Sequence, residues 1–182
     1  MNQTIHHALA QRAAEPDPSQ ERRQLLRFAL GDALYAVPIE AVREILQVVS
    51  LTEVPMMPRF VRGVMNLRGS VVPVFDLSQR LSLPRTEIGR RSCIVIVETH
   101  NTDGQNQRHG VLVDAVHEVL ELCADEVAPA PSIGTRVSPQ FIGGIARVHG
   151  QSVELLDLTR IFDETELHRL VGEHCDQSRW LH

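Results

Sequence analysis

From Gln24 the chain alternates: Leu26, Phe28 and Leu30 interleave with Leu25, Arg27 and Ala29, the rhythm of a half-buried strand. Gly31-Asp32 supplies a turn and Ala33 to Val37 returns, which predicts a hairpin. Pro38 then ends regular pairing or confines it to a sheet edge. Val42 to Val49 is rich in β-branched residues and reads as a strand, with a helix over Ile39 to Leu46 left open. Val54 to Pro58 is an apolar, proline-bounded loop. Phe60 to Leu67 is expected to begin as a helical turn and then straighten, and Gly69-Ser70 to turn the chain into Val71 to Phe75. Ser92 to Glu98 is an apolar run suited to a strand buried on both faces. His100 to Arg108 is polar and contains Asp103-Gly104, so a long hairpin loop is expected before Gly110 to Val113. Ala128 to Pro139 reads as a connection, Phe141 to Leu156 as a strand pair, and Glu164 to Leu170 as a helix.

The pattern occurs twice. Tyr35-Ala-Val-Pro-Ile-Glu-Ala-Val-Arg-Glu-Ile-Leu46 is echoed by His109-Gly-Val-Leu-Val-Asp-Ala-Val-His-Glu-Val-Leu120, 74 positions on. Phe60 to Gly69, followed by Asp76-Leu77, is echoed by Phe141 to Gly150, followed by Asp157-Leu158, 81 positions on. A duplicated β unit predicts two similar lobes, and it makes the seam between them the first place to look for function. About ten short strands in two sets of five, without alternating βαβ units, predict a mainly β protein of two pseudo-symmetric, five-stranded, barrel-like lobes packed together, with short helices at the joints. The expected divisions are a mobile tail over 1–23, a paired-lobe domain over 24–166 and a C-terminal extension over 167–182. The lobes fall at about 24–90 and 91–166, with room for the chain termini to cross between them.

Composition narrows the chemistry. The chain has 182 residues, 43% of them apolar, and no run that could span a bilayer as a helix. Met1 to Gln20 lacks the basic start and apolar stretch of a secretory signal, so the cytoplasm is the expected compartment. Three scattered cysteines argue against a disulfide framework or a structural zinc site, and Cys93, inside the apolar run, suits a buried thiol. All 18 basic residues are arginine, which removes P-loop, kinase-type and Schiff-base lysine chemistry. A net charge of −5 and 4% aromatic residues argue against nucleic-acid binding.

No G-x-S-x-G, H-E-x-x-H, G-x-G-x-x-G or Walker A string is present. No cofactor and no metal are expected; the tail pairs His6-His7 and His174-Cys175 lack a frame that would hold a coordination geometry. Asp76 and Asp157 each end a strand where a helix starts and are expected to be N-caps, not an acid–base pair. Arg62, Asn66 and Arg68 fall at period 2 on one outer face, with Gly63 and Gly69 allowing close approach by another backbone and Glu44 a lone carboxylate in an apolar strand. Both a recognition patch anchored by Arg68 and a plain solvated face fit these residues. Val42 and Val116, and Val37 and Val111, are equivalent in the repeat. Most are expected to be ordinary core, with some lining the seam if the lobes pack pseudo-symmetrically and a few at its rim forming a groove for an amphipathic helix. Trp180 docks on the body or on a partner; both remain open.

The string from Phe60-Val-Arg-Gly-Val-Met-Asn-Leu-Arg-Gly69 to Asp76-Leu77 resembles the signature of the CheW-like domain of bacterial chemotaxis. Gly31 to Ile45 fits its opening segment and Ala128 to Pro131 its second-lobe connection; the likeness covers about Gln24 to Glu166. It implies two five-stranded SH3-like barrels and a non-enzymatic coupling protein, joining the cytoplasmic helical tip of chemoreceptors to the regulatory domain of the histidine kinase CheA. Neither nucleic acid nor direct membrane insertion is implied; association with membrane arrays would run through partners. Carried over by position, Val42, Glu44, Gly63 and Arg68 match positions of receptor or kinase contact, and Ile94, Gly110 and Val116 match the inter-lobe side; Asn66 and Gly69 join the expected partner-binding set from the surface pattern. Leu46-Gln47 departs from the Arg-Gly of many members. With no phosphotransfer, ATPase or receiver segment in these 182 residues, a free-standing coupler is expected. The rival from another class is a small hydrolase with a histidine-based site; an adaptor of a pilus or second-messenger pathway is the nearer alternative.

Overall fold

The computed structural model describes residues 22–100, 103–132 and 134–179, with side chains to residue 173. The expectations for His6, His7 and Trp180 lie outside the described residues, as do the side chains of His174 and Cys175.

Among the described residues eleven strands form: β1 (Arg22–Leu30), β2 (Ala33–Pro38), β3 (Val42–Gln47), β4 (Val61–Leu67), β5 (Ser70–Asp76), β6 (Cys93–His100), β7 (Asn106–Val113), β8 (Ala115–Cys123), β9 (Val127–Ala128), β10 (Ile142–Val148) and β11 (Gln151–Leu156). Helices α1 (Leu77–Arg80), α2 (Leu158–Ile161) and α3 (Glu164–Arg179) cap the strands. The helix left open over Ile39 to Leu46 is a single 3-10 turn, Ile39–Ala41, leading into β3. The expected turn before β4 closes through Val61 N donating to Pro58 O at 2.8 Å. The loop expected over His100 to Arg108 is shortened, since His100 and Asn106 to Arg108 belong to the ladder. β6 and β7 pair from Cys93↔Val113 out to His100↔Asn106, because cross-strand polar pairs such as Glu98 with Arg108 carry the sheet into solvent. β1 already includes Arg22 and Arg23, two residues before the expected start, and α3 runs nine residues past Leu170.

The strands assemble into two sheets, β8-β1-β2-β11-β10-β9 and β3-β6-β7-β5-β4. By the repeat, β1 to β5 correspond to β6, β7, β8, β10 and β11, so both sheets have the same five-strand order, with β9 added to the first. Each half has lent its opening hairpin to the other half's sheet. The sequence division at about residue 90 is therefore not the boundary between barrels. The first barrel holds β1, β2 and β8 to β11, and the second holds β3 to β7. Borrowed and resident strands meet at the parallel pairs β2–β11 and β5–β7 and at the antiparallel pairs β1–β8 and β3–β6.

The two faces of each strand serve different cores. Ile94 and Ile96 point into the second barrel with Met65, Val72, Val74 and Leu112, whereas Val95 and Val97 face the seam. That explains the unbroken apolar run read from the sequence. Leu25, Ala36, Leu120, Leu122, Ala146, Val148 and Val153 fill the first barrel. The seam is the largest core and takes Phe28, Tyr35, Val37, Phe75, Val111 and Phe162 from both barrels. Val42 and Val116, partners in the repeat, are both half-buried against it. Asp76 and Asp157 cap as expected, accepting from Gln79 N at 3.3 Å and Arg160 N at 3.2 Å.

Candidate partner-binding site

The hairpin between β4 and β5 turns on Arg68 and Gly69, with φ of +52° and +89°, the pairing of a tight type I′ turn. Asn66 Oδ1 accepts from Gly69 N at 2.8 Å and holds the tip. The turn aims Arg68 across the mouth of the second barrel, where its Nη2 donates to Glu44 Oε2 at 3.1 Å. β3 and β4 are the outermost strands of that sheet, and Thr52 also bridges to Val64. The ion pair therefore spans the line where the barrel closes on itself. Arg68 is 82% exposed and Glu44 24%, so the pair is worth at most about 1 kcal/mol to stability and its guanidinium is open to a partner.

Glu44, Asn66, Arg68 and Gly69 thus share one edge. Arg62 does not join them. The β4–β5 register slips between Val61 and Gly63, so the bulge turns Arg62 inward, 3.6 Å from the fully buried carboxylate of Asp76. Gly63 is buried beneath the edge. A Cβ there would stand 2.4 Å from Thr52 O, so the close backbone approach expected of this glycine is made by the chain itself. Ile94 has no exposed surface, and Gly110 is packed against Val74 and Ile94. Both are core positions, because β6 and β7 are inner strands with a paired strand along each edge. Val116 sits on β8 of the first barrel, and Val42 turns from the edge toward the seam.

On the seam lies a groove of about 710 Å³ bounded by both barrels. Leu25, Ala41, Leu122, Leu156 and Leu158 give it apolar walls; Glu40, Arg43, Glu98 and Asp157 stand among its charged groups. Glu98 organises one side. It accepts from Arg43 Nη2 at 2.6 Å, Arg108 Nε at 3.1 Å and Asn106 Nδ2 at 3.2 Å. The Arg43 bond first, and then the Arg108 bond, hold its carboxyl below the usual carboxylate range. Arg43 reaches Glu98 because it is the extra residue of a bulge between Val42 and Glu44. Sequence reasoning missed this cluster. The available signal was the three charges Arg43, Glu98 and Arg108 in otherwise apolar strands. Cys123, Asp125 and Glu126 lie beside the groove with ligand atoms within 4.8 Å of one another. Glu126 Oε2 is already engaged, accepting from Cys123 N at 2.7 Å to cap a 3-10 turn.

Among the described residues the buried histidine is His109, whose Nε2 shares a 3.2 Å hydrogen bond with Thr99 Oγ1. Its ring stacks on Phe162 at 4.5 Å and meets Phe75 at 5.6 Å. This is a packing role, with neither a serine nor a carboxylate as its hydrogen-bond partner. Burial pushes its pKa from 6.5 down to about 4. Between those values the unfolded chain binds a proton that the folded chain refuses, so stability falls as pH drops through the window. At pH 5 the loss relative to pH 7 should be about 2 kcal/mol from this group. Urea midpoints at the two pH values should separate in the parent chain and close up in His109→Phe. An equal separation in both would remove His109 as the cause.

Two small fused barrels, with an apolar groove at their seam and an open charged edge on one of them, make a scaffold that acts by binding macromolecules. No described helix is long and apolar enough to cross a membrane. The chain belongs to the CheW-like domain family: residues 24–166 match the family model. It is 33% identical over 144 residues to the chemotaxis protein CheW of Rhizobium meliloti, covering 79% of this chain and 90% of that one. It is 30% identical over 151 residues to the protein FrzA of Myxococcus xanthus, covering 82% and 89%. The structure is similar to that of the scaffolding protein TtCheW from Thermoanaerobacter tengcongensis, with a TM-score of 0.70, 32% identity and coverage of 78% and 93%. These likenesses support a chemotaxis coupling adaptor and lend nothing to the hydrolase reading.

Proposed function

We propose that the chain couples chemoreceptors to the kinase CheA, the seam groove taking a receptor's helical tip and the Glu44–Arg68 edge meeting the kinase regulatory domain. The observation that carries this is the groove itself. An apolar trough flanked by fixed charges suits an amphipathic helix, which presents one apolar stripe between polar flanks. The edge suits a different contact. Arg68 is exposed, its fork is only partly used by Glu44, and Ile45 and Val71 add apolar side chains that are 44% and 70% exposed.

Two variants separate the surfaces. Ala41→Glu places a charge in the groove wall and should abolish retention of a receptor cytoplasmic fragment while leaving capture of the kinase regulatory domain intact. Arg68→Ala should do the reverse, with a melting temperature within a few degrees of the parent. Binding of both partners by both variants at parental strength would defeat the assignment.

A further inference from the structure

On another side of the molecule α3 lies over an apolar cleft of about 200 Å³. Met57, Phe60, Val61 and Phe75 of the body border it, and Leu167 and Val171 of the helix, one turn apart, border it from above. Asp163 starts the helix by accepting from Glu166 N at 2.8 Å. Glu166 then reaches down, its Oε2 accepting from Arg80 Nη2 at 2.7 Å.

Two contacts outside α3 also hold Arg80: its Nε donates to Ile161 O at 2.9 Å, and its guanidinium carbon lies 4.7 Å from the centre of the Phe141 ring. A guanidinium held in place at the head of an apolar cleft is a ready acceptor site for a carboxylate followed by apolar side chains. The helix that fills it is a modest fit. Leu167 and Val171 are only half-buried, and Gly172, a poor helix former, follows one residue later inside the helix. The body's apolar surface also runs beyond the helix, through Met56 and Val54, which are 54% and 38% exposed just before Met57.

We propose that α3 is a displaceable cover, and that the cleft beneath it docks an amphipathic helix from a partner protein. That helix would carry the pattern α3 displays: a carboxylate where Glu166 stands, an apolar residue next to it and a second apolar residue one turn on. Arg80 reads the carboxylate, and the Met57–Phe60–Val61 surface reads the apolar pair. This surface is separate from the seam groove and from the Arg68 edge, so it adds a third contact that opens only when α3 leaves.

The test uses the full chain and a fluorescein-labelled synthetic peptide with the sequence of residues 163–179 as the stand-in helix. Leu167→Glu with Val171→Glu lifts the chain's own helix and should bind the peptide about tenfold more tightly than the parent, whose site is mostly covered. Glu166→Arg, which opposes Arg80 without touching the apolar positions, should do the same and serves if the double variant fails to fold. In the parent, amide exchange in α3 should be far faster than in β6 and β7. No saturable binding to either variant, or affinity equal to the parent's, overturns the proposal. So does α3 protection equal to that of β6. A parent dimer that dissociates in the variants also overturns it, since the occupant would then be a second copy's α3.

Discussion

Gly63→Ala should lower stability by about 3–5 kcal/mol, a fall of roughly 10 °C in Tm for a chain of this size. Two independent features produce the effect. Gly63 has φ of +141°, a region that side chains with a Cβ rarely occupy, which alone costs about 1–3 kcal/mol. The new Cβ would also stand 2.4 Å from Thr52 O and 3.0 Å from Thr52 C, both backbone atoms that no rotamer change can move aside. Thr52 is held there by two bonds with Val64, each 2.9 Å, and relief of the clash breaks them at about 1 kcal/mol apiece. Gly69→Ala is the control. Its φ is +89°, but nothing lies within 4 Å of a Cβ, so only the backbone term applies. Thermal melts should rank parent, Gly69→Ala, Gly63→Ala in descending order. A Gly63→Ala chain that melts with the parent would mean that Thr52 does not approach as described.

That example marks how far the sequence could be read. Gly63 was legible as a site of close approach, but alternation cannot say whose backbone arrives. The Thr52–Val64 bridge depends on how the barrel closes, which is a tertiary fact. The same limit applies to the hairpin exchange. Periodicity assigned β1, β2, β6 and β7 as strands and the repeat paired them by resemblance. Local and exchanged pairing bury the same faces, so nothing in the pattern selects between them. Ile94 was misplaced for a related reason. A strand buried on both faces has no polar beat to show which side chains reach the surface. Arg62 shared the period of Asn66 and Arg68, and one bulge residue reversed its direction. What did survive is what depends on short range. Asp76 and Asp157 cap the helices that follow them, and the β4–β5 turn expected at Gly69-Ser70 falls one residue earlier, at Arg68-Gly69.

The repeat also makes a sharper prediction, because its two aspartates are equivalent in position and unequal in surroundings. Asp157→Ala should cost about 1 kcal/mol, the worth of a cap. Its side chain is 35% exposed, and its other contact is a 3.4 Å pair with Arg160 on the same turn. Asp76→Ala should cost about 3–5 kcal/mol. The Asp76 carboxylate is fully buried and serves three groups: Gln79 N and Thr86 N, each at 3.3 Å, and Arg62 at 3.6 Å. Removing it strands two backbone donors and a guanidinium that is itself only 13% exposed. Asp76→Asn keeps an oxygen for the cap but leaves Arg62 without a counter-charge, so it should fall between the two. Chemical denaturation of the three variants at pH 7 gives the order directly. Equal losses for Asp76→Ala and Asp157→Ala would show that Arg62 is not held by Asp76, and that the first barrel and the second rely on the same simple cap.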